Sequence, residues 1–182
     1  MKTFQVEGPR PCTTHELPEL IRMVDGVMRA DTDQTMLTDY PLVYRDANLP
    51  NTRIVKAGGR IVSTVPFIPR IVEMDGCSFT IGVISPTATH PEHRRRGYAL
   101  RCLNACLARM GELGVELSVL WTLTATFPFY EHAATSTAFA RCTRPKHAAS
   151  GALMPSTYRF SACRRCARSS PSGAASRSLI SS

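Results

Sequence analysis

The stretch Ile84-Ser85-Pro86-Thr87-Ala88-Thr89-His90-Pro91-Glu92-His93-Arg94-Arg95-Arg96-Gly97-Tyr98-Ala99-Leu100-Arg101 decides the fold. Its opening residues end a strand that begins at Cys77 and is interrupted at Pro86. His90-Pro91-Glu92-His93 turns the chain, and after the arginines a period of 3.6 sets in. Leu100, Leu103, Leu107 and Met110 recur as one helical stripe, so residues 97–110 are predicted helical, with Gly111 and Gly114 as the stop. A strand that passes through a glycine-containing loop into a helix leaves unpaired N–H groups and the positive end of the helix dipole at the junction. That is a site for a pyrophosphate. Gly97 lets the backbone come close to such a group, and Ala99 is small where an extended ligand would pass. Arg94, Arg95 and Arg96 can add charge-assisted contacts. An arginine run alone is more often a solvated loop. The Gly-x-Ala step and the helix behind it turn this one into a phosphate site.

Upstream, Thr13-Thr14-His15-Glu16 fits a capping box, and Leu17, Leu20, Ile21, Val24, Val27 and Met28 form the buried face of a first helix. Pro18 is tolerated in its first turn. A shorter helix is predicted near residues 34–37, before Tyr40-Pro41. The period then changes to that of strands. Residues 52–57 are one, Gly58-Gly59 is a tight turn, and 60–73 form a long β-rich run that Pro66 and Pro69 are expected to bend or confine to an edge. Asp75-Gly76 is a second hairpin turn before the strand over 77–89. Downstream, 115–121 is a short buried-type strand, and 127–131 approach another helix. The order is strand, helix, helix, three-strand meander, helix, strand. This is an α/β (α+β) protein with a mixed, mostly antiparallel central sheet flanked by helices.

In that order and context, residues 9–131 resemble the GCN5-related N-acetyltransferase (GNAT) superfamily. Its acetyl-CoA signature, Arg/Gln-x-x-Gly-x-Gly/Ala directly after a strand, is matched by Arg94, Gly97 and Ala99. Ala88-Thr89-His90-Pro91-Glu92-His93 before the signature and Phe129-Tyr130-Glu131 after the next strand are similar to the family as well. Within the superfamily the meander is most similar to the bacterial enhanced-intracellular-survival (Eis-like) group. The resemblance implies the acyl-CoA N-acyltransferase fold, acetyl-CoA as donor, and an amine acceptor that is a small molecule or a peptide. It implies direct transfer, with no metal and no covalent enzyme intermediate. By the same resemblance, backbone amides of Arg95, Arg96, Gly97, Tyr98 and Ala99 hold the pyrophosphate. Pro86, Thr87, Ala88 and Thr89 pair with the pantetheine arm and polarise the thioester carbonyl. Tyr130 is the general acid for the departing thiolate, a role that a phenol of ordinary pKa about 10 fills at neutral pH. Arg95 stands where the family often has glycine. Pro86 removes a backbone donor from the strand that contacts the donor molecule, at a place where the family has a bulge.

The net charge of +8 is unevenly placed. Residues 1–131 hold 14 Lys+Arg and 14 Asp+Glu, so the whole excess sits in 132–182, which carry 8 Lys+Arg and no acid. The body therefore has no basic excess for nucleic acid or a membrane, and the tail lacks the aromatic interleaving and motifs of a nucleic-acid binder. The first ten residues have no apolar signal core, and no stretch has the length of a membrane span. Cytoplasmic location with reduced cysteines is expected, and the cysteine count of seven is odd, with no disulfide framework. Cys102 and Cys106 read as small core residues, and Cys163-Arg164-Arg165-Cys166 lacks the second pair a structural zinc site needs. Asp31, Asp33 and Asp39 read as caps and solvated surface, with an acidic rim for a cationic amine as the alternative.

The tail differs in kind. Residues 132–182 contain 11 Ser, 11 Ala and no Val, so they cannot bury enough apolar surface to offset their ordering entropy. They read as a basic Ala/Ser/Arg-rich low-complexity segment after a domain over 1–131. The resemblance calls for a helix and two more strands there, so the C-terminal strands are not supplied. A shift of reading frame near residue 131 accounts for this. Read one nucleotide back, the codons of residues 133–138 permit Gly-Tyr-Val-His-Gly, and a Gly-aromatic pair after Phe-Tyr-Glu is what the resemblance calls for. The readings carried forward are an acetyl-CoA-dependent N-acetyltransferase, a truncated non-catalytic relative, and nucleic-acid binding through the tail.

Overall fold

Gly58 and Gly59 take positive φ (58° and 79°), the conformation of a two-residue hairpin turn. They join β2 (Thr52–Ala57) to β3 (Arg60–Met74), which pairs antiparallel with both β2 and β4 (Cys77–Ile84). The computed structural model describes residues 5–74, 77–120, 122, 126 and 128–130. The Asp75-Gly76 turn, Glu131 and the 132–182 tail with Cys163 and Cys166 lie outside these residues. β1 (Val6–Pro11) pairs antiparallel with β2, and β5 (Ala88–Thr89) with β3. β6 (Leu117–Leu120) is parallel to β4, which requires a crossover, and α3 (Tyr98–Glu112) supplies it. The strand order is β1-β2-β3-β4-β6, a mixed, mostly antiparallel sheet flanked by α1 (Leu17–Met28), α2 (Met36–Asp39) and α3. No helix among the described residues is long and apolar enough to cross a membrane.

Strand alternation feeds two cores. Val55 and Ala57 face α3, with its buried Cys102, Leu103, Cys106 and Met110. Ile54 faces Leu20, Met23 and Val24 of α1 and Met36 of α2. Burying a side chain of this size contributes about 1.5–3 kcal/mol, so the α1 trio outweighs any propensity term in fixing that helix. Val62 and Val65 are three apart yet share the α3 face. Val55 opposes Ser63 while Lys56 opposes Ile61, which makes Val62 the extra residue of a bulge. Cys102 and Cys106 are core residues, as their spacing suggested, and burial pushes both thiols up to about 12.

Pro66 and Pro69, expected to bend the run or confine it to an edge, stand where β3 changes partners: β2 pairs with it up to Pro66 and only β4 from Phe67 on, so an edge is found at Pro69 and not at Pro66. In a strand the N–H and C=O of one residue point to the same side. The Pro66 carbonyl accepts from Ser85 N at 3.3 Å, so its ring nitrogen faces residues 85–87, where β4 has ended and β5 has not begun. Pro69 lies beyond the last β2 pair, Thr52 with Pro66, and its carbonyl accepts from the Arg70 side chain at 3.2 Å. Each missing donor thus falls where no ladder partner stands.

Glu16 ties three elements together. Its carboxylate accepts from Arg10 Nη1 and Nη2 (2.8 and 2.7 Å), from Lys56 Nζ (3.1 Å), and from the Thr13 backbone N and Oγ1 (3.2 and 2.9 Å). The capping box is present, but it opens a 3-10 turn over Thr14–Glu16 that leads into α1. Hydrogen bonds from Arg10 above all hold the Glu16 carboxyl well below the usual carboxylate range. A depressed folded pKa means that the stabilisation is complete above the unfolded value of about 4.3 and is lost as pH falls through the folded one. Glu16→Gln should cost roughly 1–3 kcal/mol at pH 7. The Tm gap from wild type, read by thermal denaturation, should narrow below about pH 4. A gap independent of pH would show that the carboxylate charge is not what matters.

Candidate active site

The β4–β6 ladder ends at the pair Ile84–Leu120. Beyond it the Ser85–Pro86 peptide is cis, and the strand resumes only at Ala88, now paired with Thr64 of β3. Ser85 N and His90 N donate to the Pro66 and Val62 carbonyls, so the segment keeps to β3 on one side. Its other side has no strand beside it among the described residues. The outward peptide groups of residues 85–89 therefore border an open wedge, the shape that an extended chain with amide groups can enter.

Two residues named from the sequence, Tyr130 for its side chain and Thr87 for its backbone alone, meet at this wedge. Residues 128–130 form a helical turn that places Tyr130 in the α3-side core, 9% exposed, with the Phe129 ring edge-on at 4.8 Å. Burial pushes the Tyr130 phenol above its ordinary value, and the hydroxyl of Thr87 beside it opposes that rise in part. Thr87 Oγ1 is itself buried with no hydrogen bond of regular geometry. A buried hydroxyl left in that state costs free energy until a partner arrives, so Thr87 and Tyr130 present a polar corner inside an apolar one. The carbonyl of an acyl thioester fits that need.

The loop over residues 94–97 is shaped by its backbone. Arg95 has φ 57° and Gly97 φ 76°, with Arg96 between them, a run that suits an anion-binding concavity. The first bond of α3 is Arg101 N to Gly97 O (3.0 Å), so helix geometry leaves the N–H groups of Tyr98, Ala99 and Leu100 without intrahelical partners. A Cβ added at Gly97 would meet nothing within 4 Å, so the space above the loop is open. The arginine side chains do less than their charge suggested. Arg94 Nε donates to the Thr89 carbonyl (3.2 Å) and Arg96 Nη2 to the Glu92 carbonyl (3.1 Å), tethering the loop to its own approach. The anion-binding chemistry this loop offers is therefore main-chain more than side-chain.

A cleft of about 370 Å³ opens on the opposite face at Ser85, lined by Tyr40, Val43, Ile68 and Val83. Asp31, Asp33 and Asp39 do not line it, and Asp39 is taken up by Arg29 Nε at 2.9 Å. Sequence reading named Thr87 only for its backbone. Nothing in the spacing signals that its hydroxyl meets Tyr130, because that contact depends on how α3 and β6 return the chain. His90, Glu92 and His93 also converge, a grouping legible only once Pro91–His93 is seen to be a 3-10 turn.

Comparison with known proteins gives the same frame. The model of the acetyltransferase (GNAT) domain matches residues 9–133. No curated protein matches the chain. A probable N-acyltransferase from Enterococcus faecalis is 22% identical with a TM-score of 0.56, covering 72% of this chain and 32% of its own. A GCN5-related N-acetyltransferase from Kribbella flavida is 20% identical with a TM-score of 0.58, covering 71% and 32%. The structure of AAC(6')-Iy in complex with the bisubstrate analogue CoA-S-monomethyl-acetylneamine is 15% identical with a TM-score of 0.57, covering 80% of this chain and 99% of its own. The chain spans about a third of the length of the first two. At such identities the structures establish the fold, and the domain match extends it to kinship: this chain belongs to the acetyltransferase (GNAT) family.

Proposed function

We propose that the chain is an acetyl-CoA-dependent N-acetyltransferase that moves the acetyl group directly to an amine, on a small molecule or a peptide. The observation that carries this reading is the Tyr130 phenol beside Thr87 at the break between β4 and β5. The loop over 95–99 holds the pyrophosphate through main-chain N–H groups and the α3 dipole. Residues 86–89 pair with the pantetheine arm and polarise the thioester carbonyl. The neutral amine attacks the carbonyl carbon as the C–S bond breaks, and Tyr130 gives its proton to the thiolate. The ammonium proton leaves through water or a base, and Tyr130 recovers a proton from solvent. No metal takes part. The catalytic unit is residues 1–131, in a cytoplasmic protein with reduced thiols, and the frame shift near residue 131 explains the rest. The domain match ending at 133 supports that boundary.

A second reading has one observation behind it. Among the described residues the sheet stops at β6, which suits a relative that keeps the fold and has lost turnover. Calorimetric titration of the full chain with acetyl-CoA separates the two: saturable micromolar binding supports the enzyme, and no heat from folded protein supports the relic.

Tyr130→Phe should lower kcat about 100-fold and leave the acetyl-CoA Kd unchanged, since the phenol acts on the leaving group. Equal turnover in the two proteins would remove Tyr130 from the mechanism. Because burial raises its pKa, Tyr130 stays a proton donor into alkaline solution, so kcat should not decline between about pH 7 and 9. A fall within that range would assign the acid to another group.

The two positive-φ positions of the loop should respond differently. Gly97→Ala costs roughly 1 kcal/mol from the left-handed backbone alone and should weaken acetyl-CoA binding. Arg95→Gly relieves the same kind of strain and should leave both stability and affinity within about 1 kcal/mol of wild type or better. Urea denaturation and calorimetry on the two variants check this, and equal losses in both would mean that the loop takes another conformation.

A further inference from the structure

On the α1 side of the sheet, away from the Thr87–Tyr130 corner, His90, Glu92 and His93 each offer one ligand atom, and these atoms all lie within 4.8 Å of one another. The backbone makes the grouping. Pro91–His93 is a single 3-10 turn that begins after His90, and three residues per turn stack the side chains of His90 and His93. Their rings meet edge-on with centroids 5.7 Å apart. His90 Nδ1 is buried with no hydrogen-bond partner among the described residues, a state that is unfavourable for a ring nitrogen unless a donor or a metal takes it up. The cluster opens into a cleft of about 610 Å³ that Glu19 and Arg22 of α1 and Arg60 of β3 also line.

We propose that His90, Glu92 and His93 form a binding site for a first-row divalent cation of the Zn²⁺ type, with two imidazole nitrogens and one carboxylate oxygen as protein ligands and water in the remaining position. The donor set selects the ion: imidazole suits Zn²⁺, Co²⁺, Ni²⁺ and Cu²⁺, whereas Mg²⁺ and Ca²⁺ take oxygen cages. Nitrogen and oxygen ligands about 2.1 Å from a tetrahedral ion stand roughly 3.4 Å apart. The cluster therefore needs to close by little more than 1 Å at most, a movement within the reach of side-chain rotation. Charges facing the cluster oppose one another. Glu19 and Glu92 favour a cation, while Arg22, Arg60 and Arg96, the last of whose guanidinium bonds the Glu92 carbonyl, disfavour it. That balance sets micromolar rather than nanomolar affinity. The ion would clamp the turn that leads straight into Arg94, and so would bear on the loop's shape without entering the transfer chemistry.

The test is titration of the chelator-treated full chain with Co²⁺, read by its visible bands, and with Zn²⁺, read by calorimetry. One equivalent should bind with micromolar Kd and without a thiolate-to-cobalt charge-transfer band. His90→Ala and Glu92→Gln should each weaken binding at least about tenfold, and His15→Ala should not change it. Glu92 is exposed, so its variant folds and remains a fair test. A thiolate band accompanying all the binding would assign the metal to cysteines such as the Cys163 and Cys166 pair. That outcome, an unchanged Kd in both variants, or binding only at millimolar metal would overturn the proposal.

Discussion

The rest of the site follows from where β4 stops. Its parallel ladder with β6 reaches Ile84–Leu120 among the described residues, and two residues further on Pro86 has no N–H with which to extend a ladder. Pro66 on the neighbouring strand lacks an N–H on the side where it faces residues 85–87, so it leaves no orphan donor at the break. What the sheet gains is a length of backbone, residues 85–89, held by β3 on one side and with no strand on the other among the described residues. A regular sheet has no such edge in its middle. The wedge is a consequence of hydrogen-bond accounting: a ladder with no donors must end, and the strand that resumes must choose one neighbour.

The anion loop is built on a similar economy. The arginine run invites a picture of cationic side chains reaching for phosphate, but Arg94 and Arg96 spend donors on the Thr89 and Glu92 carbonyls. Their effect is to tether the loop to its own approach, beside the open space over Gly97 and ahead of the unpaired N–H groups that begin α3. Preorganised amides do not have to be ordered when the ligand arrives, whereas a free arginine loses side-chain entropy on engagement. Arg95 pays for this with a left-handed φ of 57°. That explains in physical terms why glycine would suit the position.

Local patterns carried most of the architecture. The β2 span, the Gly58-Gly59 turn, the first helix and the strand–loop–helix junction are all set by residues within a few positions of one another, so period and turn chemistry expose them. What escaped reading depends on contacts between distant segments. The bulge at Val62 exists because β2 and β3 must both satisfy the α3 core, and the role of Pro69 depends on where β2 ends. Glu16 signals a capping box locally, but its bond to Lys56 is visible only once β2 lies against α1. In the candidate site, Arg94, Gly97, Ala99 and Tyr130 were legible through their order along the chain. The Thr87 hydroxyl was not, because its meaning comes from a tyrosine delivered by α3 and β6.

That delivery couples catalysis to packing. Tyr130 lies in the same core as Leu103, Cys106 and Met110 of α3, and Met110 presses so closely on β4 that a Cβ at Gly82 would stand 2.7 Å from its terminal methyl. A Cβ at position 82 would be met by the far end of the Met110 side chain, and an unbranched thioether can shift, so the contact is close without being rigid. What holds Tyr130 against Thr87 is therefore the apolar cluster as a whole, in which α3, β2 and β3 all take part, more than any single methyl contact.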